Sequence, residues 1–225
     1  MSEAVFRDRS QAGQCLAQAL AQHANRDDVI VFGLSRGGVP VAYEVAEKLH
    51  VPLDVMVVGK LGVPGYEELA MGAIASGGVQ FVHEAVMQAM GVSRCALNKT
   101  VAAQSKKLQR REATSRGREG LPEVKDKNVI LVDDGVATGS TVRAAVRALR
   151  HAEPRQIIIA VPVASAASFA MLKPFVDDFI ALVVPAKFQA ASQWYGNFPE
   201  TSDADVRQWL VKAASRQPAG TVDPQ

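Results

Sequence analysis

Cysteine is scarce in this chain: Cys15 and Cys95 are the only two in 225 residues. Two thiols so far apart build neither a disulfide framework nor a thiolate zinc set. The four histidines, His23, His50, His83 and His151, are scattered, without metal-ligand spacing. Long apolar runs are missing as well, and none approaches the ~20 residues that cross a bilayer, so no membrane partner is expected. The opening stretch MSEAVFRDRSQ lacks the apolar centre of a signal peptide, which makes a soluble cytoplasmic protein the expectation. Charge of one sign is also lacking. Lysine and arginine number 25 against 23 acidic residues, a net charge of +2, so nucleic acid is not an expected partner and any anionic ligand must be held by local clusters. What the chain does have is 48% hydrophobic residues, ample for the core of one α/β domain with embellishments.

Apolar periodicity predicts a helix from about Ser10 to Asn25, with Leu16, Ala19, Leu20 and His23 on one stripe and Asp8 near its start. Val29 to Gly33 reads as a core strand, followed by a helix to Leu49 with Pro40 in its first turn. A second strand is expected from Leu53 to Lys60. After it, Gly62, Pro64, Gly65, Gly72, Gly77 and Gly78 predict a mobile loop over 62–78, within which Gly72 to Ile74 and Val79 to Val82 could pair as a small hairpin. Further helices are expected over His83 to Met90, from Ser93 to about Ser115, and from Thr141 to Ala152. Strands are expected over Val129 to Val132, Gln156 to Val163 and Asp178 to Val184, with a helix capped by Ser165 and ended by Pro174 between the last two. Strand and helix alternate, which predicts an α/β fold with a doubly wound, mainly parallel sheet of five strands. An irregular segment then leads to a helix from Asp203 to Ala214, with Ser202 and Asp205 spaced as a capping box. The expected organisation is a single domain over 1–215, with its core at 29–184 and a small C-terminal hood at 185–215. A disordered tail is expected over 216–225.

The run VILVDDGVATGST, Val129 to Thr141, carries the densest chemistry. Asp133 and Asp134 should emerge at the carboxyl end of a buried parallel strand, where such sheets place ligands, and can accept the hydrogens of a vicinal diol. Ala137, Thr138, Gly139, Ser140 and Thr141 then offer successive backbone N–H groups at a helix start, where free amides and the helix dipole favour a phosphate. A diol clamp and a phosphate cradle a few residues apart describe a site for ribose 5-phosphate. No Gly-Lys-Ser/Thr of a Walker loop is present in GVATGST, and no GxGxxG follows the first strand. Upstream, Ser35, Arg36, Gly37 and Gly38 form a short turn whose amides and guanidinium suit pyrophosphate.

These motifs, together with GKLG, PGYEELAMGA, WYGNF and TSD, resemble the type I phosphoribosyltransferases, and within them a subgroup of poorly characterised bacterial members. The resemblance implies an enzyme that binds phosphoribosyl pyrophosphate (PRPP) and exchanges its pyrophosphate for a nitrogenous acceptor in nucleotide salvage. By resemblance, Asp133, Asp134 and Lys60 are the catalytic candidates, with Lys60 touching the pyrophosphate from the end of the second strand. The loop over 62–78 corresponds to the family's closing loop. Asp133 is the candidate contact to Mg²⁺, which would arrive chiefly with PRPP, and a homodimer is a possible assembly. Trp194 and Tyr195 lie where the family builds a hood over the incoming base; they could stack on it or pack the hood onto the sheet. Lys107, Arg110 and Arg111 share a helical face that could lie over a polyphosphate, within a basic cluster that also includes Lys106, Arg116 and Arg118. The chain departs from the hypoxanthine-guanine branch at Ala137, where that branch has an aspartate for the purine proton. Alternative readings are a PRPP-sensing regulator without turnover and a hydrolase acting on a ribosyl phosphate.

Overall fold

The computed structural model describes residues 5–116 and 122–216. Asp8 caps helix α1 (Arg9–Ala19) by accepting the Gln11 N–H. A short 3₁₀ turn, Ala21–His23, follows. Strand β1 (Val29–Leu34) is buried along its whole length, and helix α2 (Gly38–Leu49) returns over the sheet to β2 (Leu53–Met56). The chain then leaves the main sheet for an antiparallel one of β3 (Val58–Val63), β4 (Tyr66–Ala75) and β5 (Gln80–Val82). Helices α3 (Glu84–Ala89) and α4 (Arg94–Arg116) precede β6 (Asn128–Val132). Helix α5 (Ser140–His151), β7 (Gln156–Val163), α6 (Ala166–Leu172) and β8 (Asp178–Val183) complete the core, and α7 (Asp203–Ala214) falls within the segment expected as the hood.

The main sheet has the order β2-β1-β6-β7-β8 and every pairing in it is parallel. Because successive side chains of a strand point to opposite faces, Val29 and Val31 of β1 join Leu16, Leu20 and Val41 on one side. Ile30 and Phe32 join Val142 and Val146 on the other. Both faces are thus covered by helices, as a sheet of near-continuous apolar strands requires. Connections run outward from β1 to β2 on one side and reach β6 on the other, so β1 and β6 flank the switch point at which such sheets form a ligand crevice. None of the described helices is long and apolar enough to cross a membrane.

Two expectations are corrected here. The apolar run from Leu53 to Lys60 is not one strand: it breaks at Val57, whose N–H donates to Ser76 Oγ (3.0 Å) and whose carbonyl accepts the Ser76 N–H (2.8 Å). Continuous apolarity hid the break, since residues on both sides of it are buried, Val55 in the main sheet and Leu61 in the antiparallel one. The glycine-rich stretch at 62–78 is largely β4, a ten-residue strand, and its glycines serve turns and close strand crossings. Leu61, Val63, Met71 and Ile74 pack beneath this small sheet with Leu97 and Leu108 of α4 and Val206 of α7. The capping box at Ser202 and Asp205 forms as the spacing predicts. Of the tail expected from 216 onward, Arg216 continues from α7 and the remainder lies outside the described residues, as does Arg118.

Candidate active site

The site begins where β1 and β6 end side by side, with Gly33 paired to Val132. Beyond β1, Ser35 donates its N–H to the Met56 carbonyl (2.9 Å), and the Ser35–Arg36 peptide is cis. This turn lies directly against the carboxylates that follow β6. A Cβ on Gly37 would fall 2.1 Å from Asp134 Oδ2, and one on Gly38 would fall 2.6 Å from the Val132 carbonyl and 2.8 Å from Asp133 Cα. Only glycine admits that approach at both positions. Arg36 extends outward to Glu200 of the hood, 2.7 Å away.

The two carboxylates have different partners. Asp133 Oδ1 accepts the Asp134 N–H (2.9 Å). Burial, then the adjacent Asp134 charge, push the Asp133 carboxyl well above the usual range. Asp134 Oδ2 accepts from Arg9 Nε (2.9 Å) and Nη2 (2.8 Å), and both side chains are largely enclosed, at 14% and 10% exposure. Burial also raises the Asp134 carboxyl, against the opposing pull of the guanidinium. Arg9 donates further to the Pro199 carbonyl (2.6 Å) and lies 3.6 Å above the Phe198 ring, while Tyr195 donates its hydroxyl to the Asp134 carbonyl (2.6 Å). One arginine therefore ties α1, the acidic turn and the hood together. Sequence reasoning missed Arg9. The one local signal was its place: a cation in the first turn of a helix opposes the helix dipole and wants a compensating anion.

The segment expected as a phosphate cradle begins at Ala137, just past Asp134. Gly139 sits at φ +75° as the N-cap of α5, a left-handed conformation that suits glycine, and no side chain caps this helix start. The amides of the first turn are therefore left for a ligand or solvent. Ala137, Thr138, Ser140 and Thr141 are exposed, and the hydroxyls of Thr138 and Ser140 are 3.2 Å apart. Helix α6 holds the cradle from behind: Ser165 Oγ donates to the Ala137 carbonyl (2.7 Å), and Leu172 and Met171 pack against Gly139.

The structure sets Lys60 in β3, opposite Ala73, rather than at the end of a core strand. Its ammonium is 3.1 Å from Glu68 Oε2, and it lines a cavity of about 670 Å³ between the small sheet and α4 together with Gln104, Lys107 and Arg111. Arg110 is not among the residues lining that cavity. Arg116 leaves the basic cluster altogether, because it is buried against Asp54 at 3.2 Å. In the hood, Tyr195 is 6% exposed and packs on Phe6 (5.6 Å) and Phe198 (4.8 Å). Trp194 is partly buried against the same cluster, and its Nε1 is enclosed with no acceptor among the described residues. Tyr195 thus serves the hood's own core.

At its switch point, where such sheets place ligands, the parallel sheet brings together an acidic pair, a glycine turn and an open helix start. The phosphoribosyl transferase domain matches residues 8–184, and the chain belongs to that family. Two proteins of Mycobacterium tuberculosis, named "Putative phosphoribosyl transferase MT0597" (strain CDC 1551 / Oshkosh) and "Putative phosphoribosyl transferase Rv0571c" (strain ATCC 25618 / H37Rv), are each 42% identical to it over 210 residues. Those residues are 93% of this chain and 47% of each relative. The chain spans about half the length of these curated relatives. The crystal structure of TT1426 from Thermus thermophilus superposes with a TM-score of 0.79 at 39% identity, covering 92% of this chain and 98% of that one.

Proposed function

We propose that this chain transfers ribose 5-phosphate from Mg-PRPP to a nucleobase or related nitrogenous acceptor and releases pyrophosphate, a reaction of nucleotide salvage. The observation that carries the proposal is the contact between Gly37, Gly38 and the Asp133–Asp134 turn, with the uncapped start of α5 a few residues beyond. In this reading the amides of 137–141 hold the 5-phosphate, and Asp133 accepts from the ribose diol. The Ser35 to Gly38 turn, with Arg36, binds the pyrophosphate. The bond from C1 of the ribose to the pyrophosphate oxygen breaks, the electron pair leaves with pyrophosphate, and a new bond forms from C1 to the acceptor nitrogen. As C1 becomes cationic, the carboxylates on one side and the cations on the other stabilise the separating charges.

Among the described residues no group of three or more His, Cys, Asp or Glu is placed to hold a metal. One or two carboxylates plus substrate phosphates are nonetheless the usual environment of Mg²⁺, and the donor set at Asp133 fits that pattern. Bound there with PRPP, Mg²⁺ would neutralise the charge growing on pyrophosphate. Lys60 is assigned a share of the same task once released from Glu68. A methyl at Ala137 can take no proton from the acceptor, so the acceptor proton leaves by another route.

The test is a panel of purine, pyrimidine and other nitrogenous bases incubated with Mg-PRPP, with pyrophosphate release as the readout. Release that depends on one class of base is expected. Saturable PRPP binding without release for any base would replace turnover by sensing, and release independent of any base would point to a hydrolase.

A further inference from the structure

Helix α5 carries a second feature, one to two turns beyond the phosphate cradle. Arg143 and Arg147 follow Ser140 at spacings of three and four, on one helical face. Both guanidinium groups lie over the same ring, Phe81 of β5, at 5.2 and 4.0 Å, and Arg143 is also 5.0 Å from the Phe175 ring. His83 meets Phe81 edge-on at 4.3 Å. Among the described residues neither arginine has an ion-pair or hydrogen-bond partner from its side chain, and Arg143 Nε is closed off from solvent with no acceptor.

That combination is costly as it stands. Stacking on the rings occupies the guanidinium faces, but the edge N–H groups, which are built for paired acceptors, are left without one. Desolvation, then repulsion from Arg143, pushes Arg147 below its ordinary value, and desolvation, then both arginines, pushes His83 down as well. Helix α5 carries no acidic residue. The acids nearby are already engaged, Asp177 with Arg150 and Glu84 with Arg94. Clustered, partly desolvated positive charge without a carboxylate is how proteins prepare a place for an anion.

We propose that Arg143, Arg147 and His83 form a binding site for a dianionic phosphate group, separate from the amide cradle at 137–141. Two fixed positive charges match a phosphate dianion, and Arg forks bind its oxygens in pairs. The aromatic floor restrains both side chains before the ligand arrives, which lowers the ordering cost of binding.

Inorganic phosphate is the probe, titrated into the full-length protein at fixed pH and ionic strength. NMR would follow the arginine Nε–Hε signals of 143 and 147 beside the backbone amides of Ser140 and Thr141. The arginine signals should move saturably with a midpoint of their own, and sodium chloride at matched ionic strength should not reproduce the effect. Arg147→Gln, an exposed position, should weaken that isotherm tenfold or more while the amide isotherm stays in place. Absence of saturable movement would overturn the proposal. So would a single shared midpoint for amides and arginines that Arg147→Gln shifts together, which would make one extended site of the two. A dimer in sedimentation that Arg147→Gln dissociates, with the phosphate titration unchanged, would hand the cluster to an acidic protein surface and equally contradict it.

Discussion

Asp133 and Asp134 are neighbours in sequence, yet a single arginine gives them different duties. The Arg9 guanidinium binds Asp134 in an enclosed setting at 2.8 and 2.9 Å, so Asp134 is held as a structural anion between α1 and the hood. Among the described residues Asp133 has only a backbone amide as hydrogen-bond partner, and in the proposed reading it faces the ligand. Breaking a buried pair by removing one member costs about 3–5 kcal/mol. At roughly 2–4 °C per kcal/mol for a chain of this size, Arg9→Met should lower the melting temperature by about 6 °C or more. Asp133→Asn should leave it level or raise it, since neutralising a desolvated carboxyl beside Asp134 relieves repulsion. Calorimetry of the two variants checks this split, and equal losses would contradict it. His23 offers a pH-dependent counterpart. It is 8% exposed, and burial first, then Arg26, depress its imidazole below the ordinary value. The folded state therefore binds its proton less readily than the unfolded chain does. Its contribution is full above the unfolded value of about 6.5 and is lost as pH falls through the lowered folded value. The wild-type melting temperature should decline between about pH 7 and pH 5 more steeply than that of His23→Gln.

Among the elements, the small sheet carries Lys60 and the hood meets the acidic turn through Arg9 and Tyr195. Lys60 stands on β3 and is held by Glu68 of β4, so any action on a leaving group is coupled to that sheet's position. Lys60→Ala should lower kcat by about tenfold to hundredfold, the value of one charged hydrogen bond, with little change in the PRPP dissociation constant. Parallel losses in both would reduce Lys60 to a binding residue. In the hood, Tyr195→Leu should lower the melting temperature by several degrees, because it empties a packed cluster and removes the hydroxyl from the Asp134 carbonyl. Trp194→Leu should cost less stability, and a rise in acceptor KM in that variant alone would assign the base contact to Trp194. The elements of the main sheet were legible because their apolar runs and caps are local signals: β7 falls on Gln156–Val163 and α7 on Asp203–Ala214, as expected. Of the small sheet, only the hairpin that pairs Gly72–Ile74 with Gln80–Val82 was expected. Its glycines read as mobility, and its turn from the main sheet at Val57 depends on Ser76, nineteen positions away.

At the scale of the whole molecule, the site is an outcome of strand order. Placing β1 beside β6 brings the turn at 35–38 onto the turn at 133–134, although about a hundred residues separate them. Each turn stands out in its own residues, and their contact follows from a parallel sheet with a switch point. Arg9 could not be read in the same way, since its partner lies 125 positions away and nothing at Asp134 marks the pairing. In the proposed function, Asp133 and the Gly37–Gly38 turn form one grip for Mg-PRPP. Isothermal titration of Mg-PRPP into the wild type, Asp133→Asn and Gly37→Ala tests it most directly. The Gly37 methyl would meet an Asp134 oxygen that Arg9 prevents from moving aside. Saturable binding by the wild type is predicted, weakened roughly tenfold to hundredfold in Asp133→Asn and at least as much in Gly37→Ala, with both variants still folded. Unchanged affinity in the two variants, or no binding by the wild type, would contradict the account.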